Sequence, residues 1–393
     1  MKALVIGGGI GGVMAALCLH AQGIDVTVFE RSHALGEVGA GIQLSPNGMK
    51  VLARLGLSDK IAAAAFRPEW LGMRMGRSGT AIFSIPMGAL AEERYGAPYL
   101  HIHRADLMAI LAKALTDRAP DALQAGRACV GVAQDDTGVT ATFADGTTAR
   151  GDVLVGADGI HSTVLATLFG ARHARFTGNV AWRLVVPADD RLRALVPPAA
   201  TIWVGPGRHA VTYFLRRGEL VNFVGIVEQQ GWEKEGWTEP GDVIDLRRDF
   251  AGWTPAVTET IARAAVCHRW ALFDRDPMQA WGRGRVTLLG DACHPMLPFL
   301  AQGAVMAIED AWVLARSLST HGAPQDALQA YEAARRPRTA RVQQGARAQM
   351  GRYHQRTPFG QIATYGPMWL AARLAPSRVR AMQDWLYKVD VSA

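Results

Sequence analysis

The first thirty residues combine an uncharged apolar stretch with a cluster of glycines. Residues 3–24 contain no Asp, Glu, Lys or Arg, and five of their six glycines lie at positions 7–12. This pattern predicts a buried strand over 3–6, a glycine turn over 7–12, a helix over 13–21 and a second strand over 26–29. A membrane span or signal peptide fits less well, because glycines interrupt the stretch and no cleavage site with a polar linker follows.

Two later apolar strands also end in loops that contain glycine and aspartate. One covers 152–156 and runs into Asp158, and the other covers 285–290 and runs into Asp291. Beyond the second loop, the apolar periodicity predicts a helix over 303–317. Open α/β sheets bind ligands at the carboxyl ends of their strands, so these loops are expected at one ligand-binding edge.

Residues 175–270, between those two loops, change to short strands separated by turns, which is typical of an antiparallel sheet. The predicted strands cover 179–186, 201–204, 208–215 and 220–228. Because side chains alternate along a strand, His209, Val211 and Tyr213 are predicted to share one face. For an arbitrary strand, a histidine and a tyrosine with satisfied polar tips would be the ordinary interpretation.

Gly7, Gly9 and Gly12 form a Gly-x-Gly-x-x-Gly fingerprint at the turn after the first strand. Such glycines allow a tight turn and a close approach of pyrophosphate to the backbone, and the helix N-terminus attracts the phosphates. Glu30, at the end of the second strand, is positioned to accept hydrogen bonds from both hydroxyls of an adenosine ribose. The fingerprint alone does not distinguish FAD from NAD.

The net positive charge of the chain is concentrated near the C-terminus. The chain has 42 Lys and Arg against 35 Asp and Glu, a net charge of +7. The residues after position 312 hold twelve of the basic and four of the acidic residues, so the first 312 carry a net charge of −1. This basic region lacks interleaved aromatic residues and any recognisable nucleic-acid module. We therefore expect helices that pack against the body or a second subunit, and no nucleic-acid partner.

The cysteines exclude two classes of protein. Cys18, Cys129, Cys267 and Cys293 are scattered and form no C-x-x-C pair. A disulfide scaffold and the usual zinc sites are therefore excluded, and we expect a reducing, cytoplasmic location without a metal site or a membrane partner.

Taken together, the motifs resemble the single-component (group A) flavoprotein aromatic hydroxylases. The matching pieces are GGGIGG with Glu30, GAGIQLSPN (39–47), HIHRADL (101–107), ADGIHS (157–162) and GDACHPMLPFLAQGA (290–304). The resemblance covers residues 1 to about 320. It implies an α/β fold in which a Rossmann-like FAD-binding domain of the p-hydroxybenzoate hydroxylase type is interlaced with an antiparallel β-sheet substrate domain, followed by C-terminal helices. The implied bounds are 1–70, 100–175 and 270–320 for the FAD-binding domain, 71–99 and 176–269 for the substrate domain, and 321–393 for the helical region.

The same resemblance implies the chemistry. We expect an FAD-dependent monooxygenase that uses NADH or NADPH and O2 to hydroxylate a small hydroxy-aromatic carboxylate, of the salicylate or 3-hydroxybenzoate type, through a flavin C4a-hydroperoxide. The implied cofactor-binding residues are Gly7, Gly9, Gly12, Glu30, Arg31, Gln43, Arg104, Asp158, Gly159, Asp291, Gly303 and Ala304. The implied catalytic residues are His209 as the base for the phenol proton, Tyr213 to orient the substrate, and Pro298 beside the reactive flavin.

Some positions depart from the family pattern. Leu165 stands where the family usually has an arginine, which weakens the transfer of nicotinamide contacts to that loop. Enzymes for 6-hydroxynicotinate have histidine where this chain has Gln43 and Phe299, so we rank that substrate below a benzenoid acid. An N-heteroaromatic hydroxylase, a flavin oxidase or reductase without oxygen insertion, and a basic flavoprotein without turnover stay open as alternatives. The resemblance is compatible with a monomer or a homodimer.

Overall fold

The computed structural model describes residues 1–33, 40–170, 174–231 and 240–393. Gly39, the first residue of the GAGIQLSPN motif, lies outside the described residues. The strands are β1 (Lys2–Ile6), β2 (Asp25–Glu30), β3 (Gly41–Leu44), β4 (Trp70–Met75), β5 (Ala81–Pro86), β6 (Leu100–His103), β7 (Leu123–Ala125), β8 (Cys129–Asp135), β9 (Gly138–Phe143), β10 (Thr148–Gly151), β11 (Val153–Gly156), β12 (Arg175–Pro187), β13 (Ala199–Gly205), β14 (Arg208–Leu215), β15 (Leu220–Glu228), β16 (Pro240–Gly241), β17 (Cys267–Asp274), β18 (Gly282–Arg283) and β19 (Val286–Leu288).

Helices fill the spaces between these strands and dominate the last quarter of the chain. They are α1 (Ile10–Ala21), α2 (Pro46–Arg54), α3 (Ser58–Ala64), α4 (Ala89–Tyr95), α5 (Arg104–Arg118), α6 (Thr163–Phe169), α7 (Asp190–Leu195), α8 (Val243–Asp249), α9 (Pro255–Ala262), α10 (Gly303–Thr320), α11 (Pro324–Tyr353), α12 (Pro358–Leu374), α13 (Pro376–Ala381) and α14 (Asp384–Tyr387). Within the described ranges, no helix combines the length and the apolar character needed to cross a membrane.

A six-stranded sheet forms the core of the N-terminal half. Its strand order is β18-β19-β11-β1-β2-β7, and all neighbours run parallel except β18 and β19. β1 lies in the sheet between β2 and β11. The chain therefore adds strands first on one side of β1 and later on the other. The loops after β1, β11 and β19 therefore leave the same carboxyl edge, where such sheets bind ligands. The predicted strand–loop arrangement is confirmed.

The helix after β1 begins three residues earlier than the glycine pattern predicted. Gly9 is its N-cap, and α1 starts at Ile10, so the prediction of a turn as far as Gly12 was wrong. A Cβ on Gly12 would lie 1.8 Å from the carbonyl oxygen of Gly7, and one on Gly11 would lie 2.8 Å from Leu289 Cδ2. Gly12 and Gly11 therefore let the first turn of α1 pack directly against the backbone of Gly7 and the side chain of Leu289.

An eight-stranded sheet forms the second layer, in the order β16-β17-β12-β15-β14-β13-β4-β5. The predicted meander is confirmed: β14 and β15 have the predicted bounds, and β12, β15, β14 and β13 pair antiparallel in that order. β4 pairs parallel with β13, because it enters from a distant part of the chain and no hairpin sets its direction. β17 spans the boundary that the sequence predicted at position 270. The domain bounds stay predictions.

The basic C-terminal region packs against the body, as its charge pattern predicted. Arg335 on α11 is 1% exposed, and its guanidinium donates to Glu309 Oε2 at 2.6 Å and to Asp310 Oδ1 at 2.7 Å. Arg338 donates to both oxygens of Glu309 at 2.8 Å. Burial alone would raise the pKa of Glu309, but the two arginines lower it overall. These charges bind α11 to α10 and neutralise one another.

Candidate active site

Both large sheets border one cavity of about 710 Å³. It extends from the carboxyl edge of the six-stranded sheet across one face of the eight-stranded sheet. Ten of the predicted site residues line it: Gly9, Gln43, Arg104, Gly159, His209, Tyr213, Asp291, Pro298, Gly303 and Ala304. The other five predicted residues, Gly7, Gly12, Glu30, Arg31 and Asp158, lie outside its lining. A volume of this size is in the range of cofactor and substrate sites.

The glycine turn leaves space in front of the first helix. A Cβ on Gly9 would meet no atom within 4 Å, so the N-terminal N–H groups of α1 face open volume. Glu30 lies beside this turn, where its carboxylate accepts from the N–H of Gly8 at 2.7 Å and of Ser32 at 2.8 Å. Arg31, the next residue, is exposed. The turn therefore offers an anion a helix N-terminus with room around it.

Asp158 holds its own loop rather than facing the cavity. Its carboxylate accepts hydrogen bonds from Ser162 Oγ and, at 3.1 Å, from the N–H of Val164. Ser162 Oγ in turn accepts from the N–H of Leu165 at 2.9 Å and caps α6. The backbone at Gly159, with φ of +78°, lines the cavity instead. The ADGIHS motif thus presents backbone to a ligand, with the aspartate as its brace.

Arg104 and Asp291 are opposite charges on the cavity wall. Burial lowers the pKa of Arg104, and the charge of Asp291 opposes this shift. Burial raises the pKa of Asp291, opposed by His294 and Arg104. The side chain of Asp291 opens into the cavity even though protein surrounds it densely. Its oxygens can therefore accept hydrogen bonds from ligand hydroxyl groups.

The N-terminus of α10 is fixed by a buried hydrogen-bond network. Gln302, its N-cap, donates to Ser45 Oγ at 2.9 Å, and Asn47 donates to Glu309 Oε1 at 2.6 Å. Gly303 and Ala304 follow and line the cavity, so the positive end of an 18-residue helix points at it. This end stabilises negative charge on a ligand. Sequence reasoning found the helix but missed the network that anchors it.

Pro298 begins a short 3₁₀ turn, Pro298–Leu300, whose first residue is exposed to the cavity. The turn places the proline between the Asp291 loop and the start of α10.

The opposite wall is one face of the eight-stranded sheet. His209, Val211 and Tyr213 all line the cavity, which confirms the prediction that they share a face. In the strand register, Val211 on β14 lies opposite Val224 on β15, which lies opposite Arg183 on β12. The same face therefore carries a histidine, a tyrosine and an arginine, supplied by two strands.

His209 is 1% exposed and belongs to a chain of polar side chains. Its Nδ1 lies 2.7 Å from Nε2 of His354, whose Nδ1 lies 3.0 Å from Oε1 of Glu228. Burial lowers the pKa of His209 well below its ordinary value, and the nearby His354 adds to the shift. His354 was missed from the sequence, because it follows α11, far from any motif.

Tyr213 packs against the two-stranded sheet formed by β3 and β6. A Cβ on Gly41 would lie 2.4 Å from its Cε2, so only glycine fits beneath the ring. Burial raises the pKa of Tyr213, and Arg183 partly offsets the rise. Gln43, on the same two-stranded sheet, accepts a hydrogen bond from Tyr99 Oη at 2.6 Å.

Arg183 is the charged residue on this wall that the sequence reasoning missed. Its guanidinium lies 4.1 Å from the centroid of the Trp270 ring. Across the ranges that the structure describes, it has no hydrogen bond or ion pair with protein. Burial lowers its pKa to about 10, so it stays charged at neutral pH. A lone arginine in the apolar strand 179–186 was the available signal.

Among the residues that the structure describes, no group of three or more His, Cys, Asp or Glu side chains is arranged to hold a metal ion.

Residues 1–346 match the family model described as an FAD binding domain. The chain belongs to this FAD-binding family. A 3-amino-4-hydroxybenzoate 2-monooxygenase of Streptomyces platensis is 42% identical over 351 residues, which are 89% of this chain and 88% of that relative. A 6-hydroxynicotinate 3-monooxygenase of Bordetella bronchiseptica is 38% identical, covering 86% of this chain and 88% of the relative. A 3-hydroxybenzoate 6-hydroxylase of Polaromonas naphthalenivorans is 36% identical, covering 100% and 96%.

Solved structures agree with this assignment. HpxO of Klebsiella pneumoniae, crystallised with FAD and uric acid, superposes with a TM-score of 0.86 at 31% identity, covering 98% of this chain and 96% of that chain. With the relatives above, this likeness identifies an FAD-dependent aromatic-ring monooxygenase that takes an aromatic substrate, O2 and a reduced nicotinamide.

The cavity fits FAD on its own geometry. The open space at Gly9 suits the pyrophosphate, and the carboxylate of Asp291 suits a hydroxyl-bearing chain. The N-terminus of α10 at Gly303 suits a ring system that becomes negatively charged when reduced. These three groups line the same cavity as His209 and Arg183.

Proposed function

We propose that this protein hydroxylates a small benzenoid acid that carries both a ring hydroxyl and a carboxylate. The observation that carries the proposal is the pairing of Arg183, a buried cation without a protein anion, with His209, a buried neutral base, on one sheet face. β12 and β14 are separated by two strand spacings, about 10 Å between backbones. Side chains reaching inward from both strands leave room for one benzene ring.

The residues divide the work on such a substrate. When bound, FAD supplies an electrophilic oxygen atom, made from O2 and a hydride of NADH or NADPH. Arg183 binds the carboxylate through a charge-assisted hydrogen bond, which fixes the ring. His209 accepts the phenol proton at Nε2, and the resulting phenolate activates the carbons ortho and para to it. Tyr213 orients the ring beside the two-stranded sheet of β3 and β6, and Pro298 limits how closely the ring approaches the cofactor.

The named relatives support the benzenoid class. Two of the three act on hydroxybenzoates, as their names state. A heteroaromatic acid is the second candidate, because the 6-hydroxynicotinate relative is 38% identical. Phe299 argues against it: its ring packs against His209 at 5.2 Å between centroids and offers no hydrogen bond to a ring nitrogen.

The cellular setting follows from the reductant and the cysteines. Dependence on NADH or NADPH supports a cytoplasmic location, as does the free state of Cys18, Cys129, Cys267 and Cys293. Arg335 and Arg338 in the basic C-terminal region form ion pairs with Glu309. These two arginines are therefore not available to bind phosphate groups, in keeping with the expectation that the protein has no nucleic-acid partner. A monomer or homodimer stays a prediction, which light scattering after size-exclusion chromatography checks.

The proposal is tested by the product formed. The FAD-loaded enzyme is supplied with NADH or NADPH, O2 and a panel of hydroxybenzoates, aminohydroxybenzoates and 6-hydroxynicotinate, with products identified by mass spectrometry. We expect a benzenoid acid to stimulate oxidation of the nicotinamide and to gain one oxygen atom, with or without loss of CO2. Stimulated oxidation that yields only H2O2 with every acid would reject oxygen insertion.

Replacing the base sharpens the assignment. His209→Gln is expected to lower the rate of product formation about 10²- to 10⁴-fold, the usual contribution of a general base. His268→Gln, a histidine on β17 outside the cavity lining, is the matched control and should keep the wild-type rate. Equal product yields from His209→Gln and wild type would remove His209 from the mechanism.

A further inference from the structure

The hydrogen-bond chain that begins at His209 continues beyond the protein core. From His209 the polar contacts continue through His354 to Glu228, and Glu228 forms an ion pair with Arg356. His354 is 5% exposed, whereas the side chains of Glu228 and Arg356 are 28% and 72% exposed. The three residues His209, His354 and Glu228 thus connect a buried cavity wall with solvent.

The carboxylate at the outer end sets the tautomers of both imidazoles. An ionised Glu228 only accepts, so His354 must donate from Nδ1 and carry a lone pair on Nε2. That lone pair accepts the Nδ1 proton of His209 across 2.7 Å. Nε2 of His209 is then left without a proton. This nitrogen has no hydrogen bond within the described ranges, and His209 lines the cavity.

We propose that His209, His354 and Glu228 form a proton relay that carries the substrate hydroxyl proton from the cavity to solvent. The inference rests on the proposed function, because it takes a phenol as the proton donor. The phenol O–H bond breaks and its proton joins Nε2 of His209. The Nδ1 proton of His209 passes to Nε2 of His354, and the Nδ1 proton of His354 passes to Glu228. The electron pair of the broken bond stays on the phenolate, and water removes the proton from Glu228.

The surroundings explain why a relay is needed. The His209 ring is covered by Phe299 and Tyr353, with ring centroids at 5.2 and 5.0 Å, so an imidazolium held there would be poorly solvated. Transfer onward to His354 and Glu228 leaves neither imidazole charged inside the protein. A single buried base would have to carry the positive charge itself, which burial disfavours.

The charged groups around the relay are few. Glu228, Arg356 and Arg208 act on His354, and burial lowers the pKa of His354 against the opposing effect of Glu228. Both relay histidines are therefore neutral near pH 7, as proton transfer in either direction requires. Arg356 donates a hydrogen bond to Glu228 Oε2 at the end of β15 and so positions this carboxylate.

The relay is tested without turnover, in oxidised FAD-loaded enzyme that receives no NADH or NADPH. The probe is 3-hydroxy-4-nitrobenzoate, whose phenolate absorbs visible light, mixed by stopped flow in weak buffer with a pH indicator. Wild type is expected to form the bound phenolate and to release one proton per site at the same rate. His354→Gln keeps a side chain of similar length but cannot relay a proton, and both signals should slow at least about 10-fold.

Controls separate a relay from a structural role. Glu228→Gln changes only the partly exposed end, is expected to fold, and should slow proton release like His354→Gln. His321→Gln replaces an exposed histidine at the end of α10 and should match wild type. In His354→Gly, added imidazole is expected to restore proton release, which a purely structural role would not produce. Wild-type rates of proton release in either His354→Gln or Glu228→Gln, with FAD retained, would overturn the relay.

Failure of the relay and failure of the proposed function give different results. Proton release is read before any oxygen chemistry, so it stays measurable in an enzyme that hydroxylates none of the tested acids. Oxygen insertion by the wild type with unchanged proton release in the two variants rejects the relay alone.

Discussion

The two walls of the cavity are built in different ways. The wall that we propose for the cofactor, here the cofactor wall, consists mainly of backbone: the turn at Gly9, the loop at Gly159 and the first residues of α10 at Gly303. The wall that we propose for the substrate, here the substrate wall, consists of side chains, above all those of His209 and Arg183, which stand on separate strands. Backbone positions are fixed by the fold and accept little change, whereas side chains on a sheet face can be exchanged without moving the sheet. This difference lets one fold keep its cofactor while its substrate varies.

The largest effect is expected on the cofactor wall, from Gly12→Ala. The added Cβ would lie 1.8 Å from the carbonyl oxygen of Gly7, so the turn must move. We expect FAD affinity to fall at least about 100-fold, a loss of about 2.7 kcal/mol. FAD retention after desalting and fluorescence titration of the apoprotein measure this effect.

Gly9→Ala is the matched control for that change. Its Cβ would meet no protein atom within 4 Å, so the apoprotein should keep its stability within about 0.5 kcal/mol. A Gly12→Ala protein that binds FAD as wild type does would show that close packing of this turn is not required.

A smaller and more selective effect is expected on the substrate wall, from Arg183→Met. Methionine keeps much of the apolar volume and removes the charge, so a benzenoid carboxylate should bind about 10- to 100-fold more weakly. The corresponding neutral amide should bind nearly as before, and FAD affinity should not change. Flavin difference spectra measure both dissociation constants.

Arg175→Met is the control for this prediction, because Arg175 is exposed at the start of the same strand. Equal losses for the acid and the amide in Arg183→Met would show that Arg183 supports packing rather than charge recognition.

The same contrast explains what the sequence could predict. Contiguous motifs encode the cofactor wall, because a strand, its loop and the next helix are neighbours in the chain. The strand bounds of β14 and the alternation of His209 and Tyr213 were likewise local and predictable. His354 meets His209 and Glu228 only because the end of α11 comes to β14 and β15, and no local pattern carries that contact. The buried pairing of Arg335 with Glu309 depends on helix packing in the same way, so the sequence predicted that this region packs but not which arginine is buried.

The smallest effect concerns stability in acid, and it comes from a histidine packed behind Tyr213. His101 on β6 is fully buried against Tyr213, with ring centroids 4.7 Å apart, and burial lowers its pKa to about 3. In the unfolded chain a histidine titrates near pH 6.5, so between these two values the unfolded state binds a proton that the folded state does not. The free energy of unfolding therefore falls as the pH drops below about 6.5, with a slope approaching about 1.4 kcal/mol per pH unit from this residue.

His101→Phe removes this titration while retaining an aromatic ring. Urea unfolding at pH 7.5, 6.5, 5.5 and 5.0 should show a shallower loss of stability than wild type, by up to about 2 kcal/mol at pH 5.0. His20→Phe, at an exposed position on α1, should follow the wild-type curve. Parallel curves for His101→Phe and wild type would mean that His101 is protonated in the folded protein, which its apolar and aromatic surroundings oppose. Acid stability thus tests whether the burial of His101 beneath Tyr213 makes folding sensitive to acid.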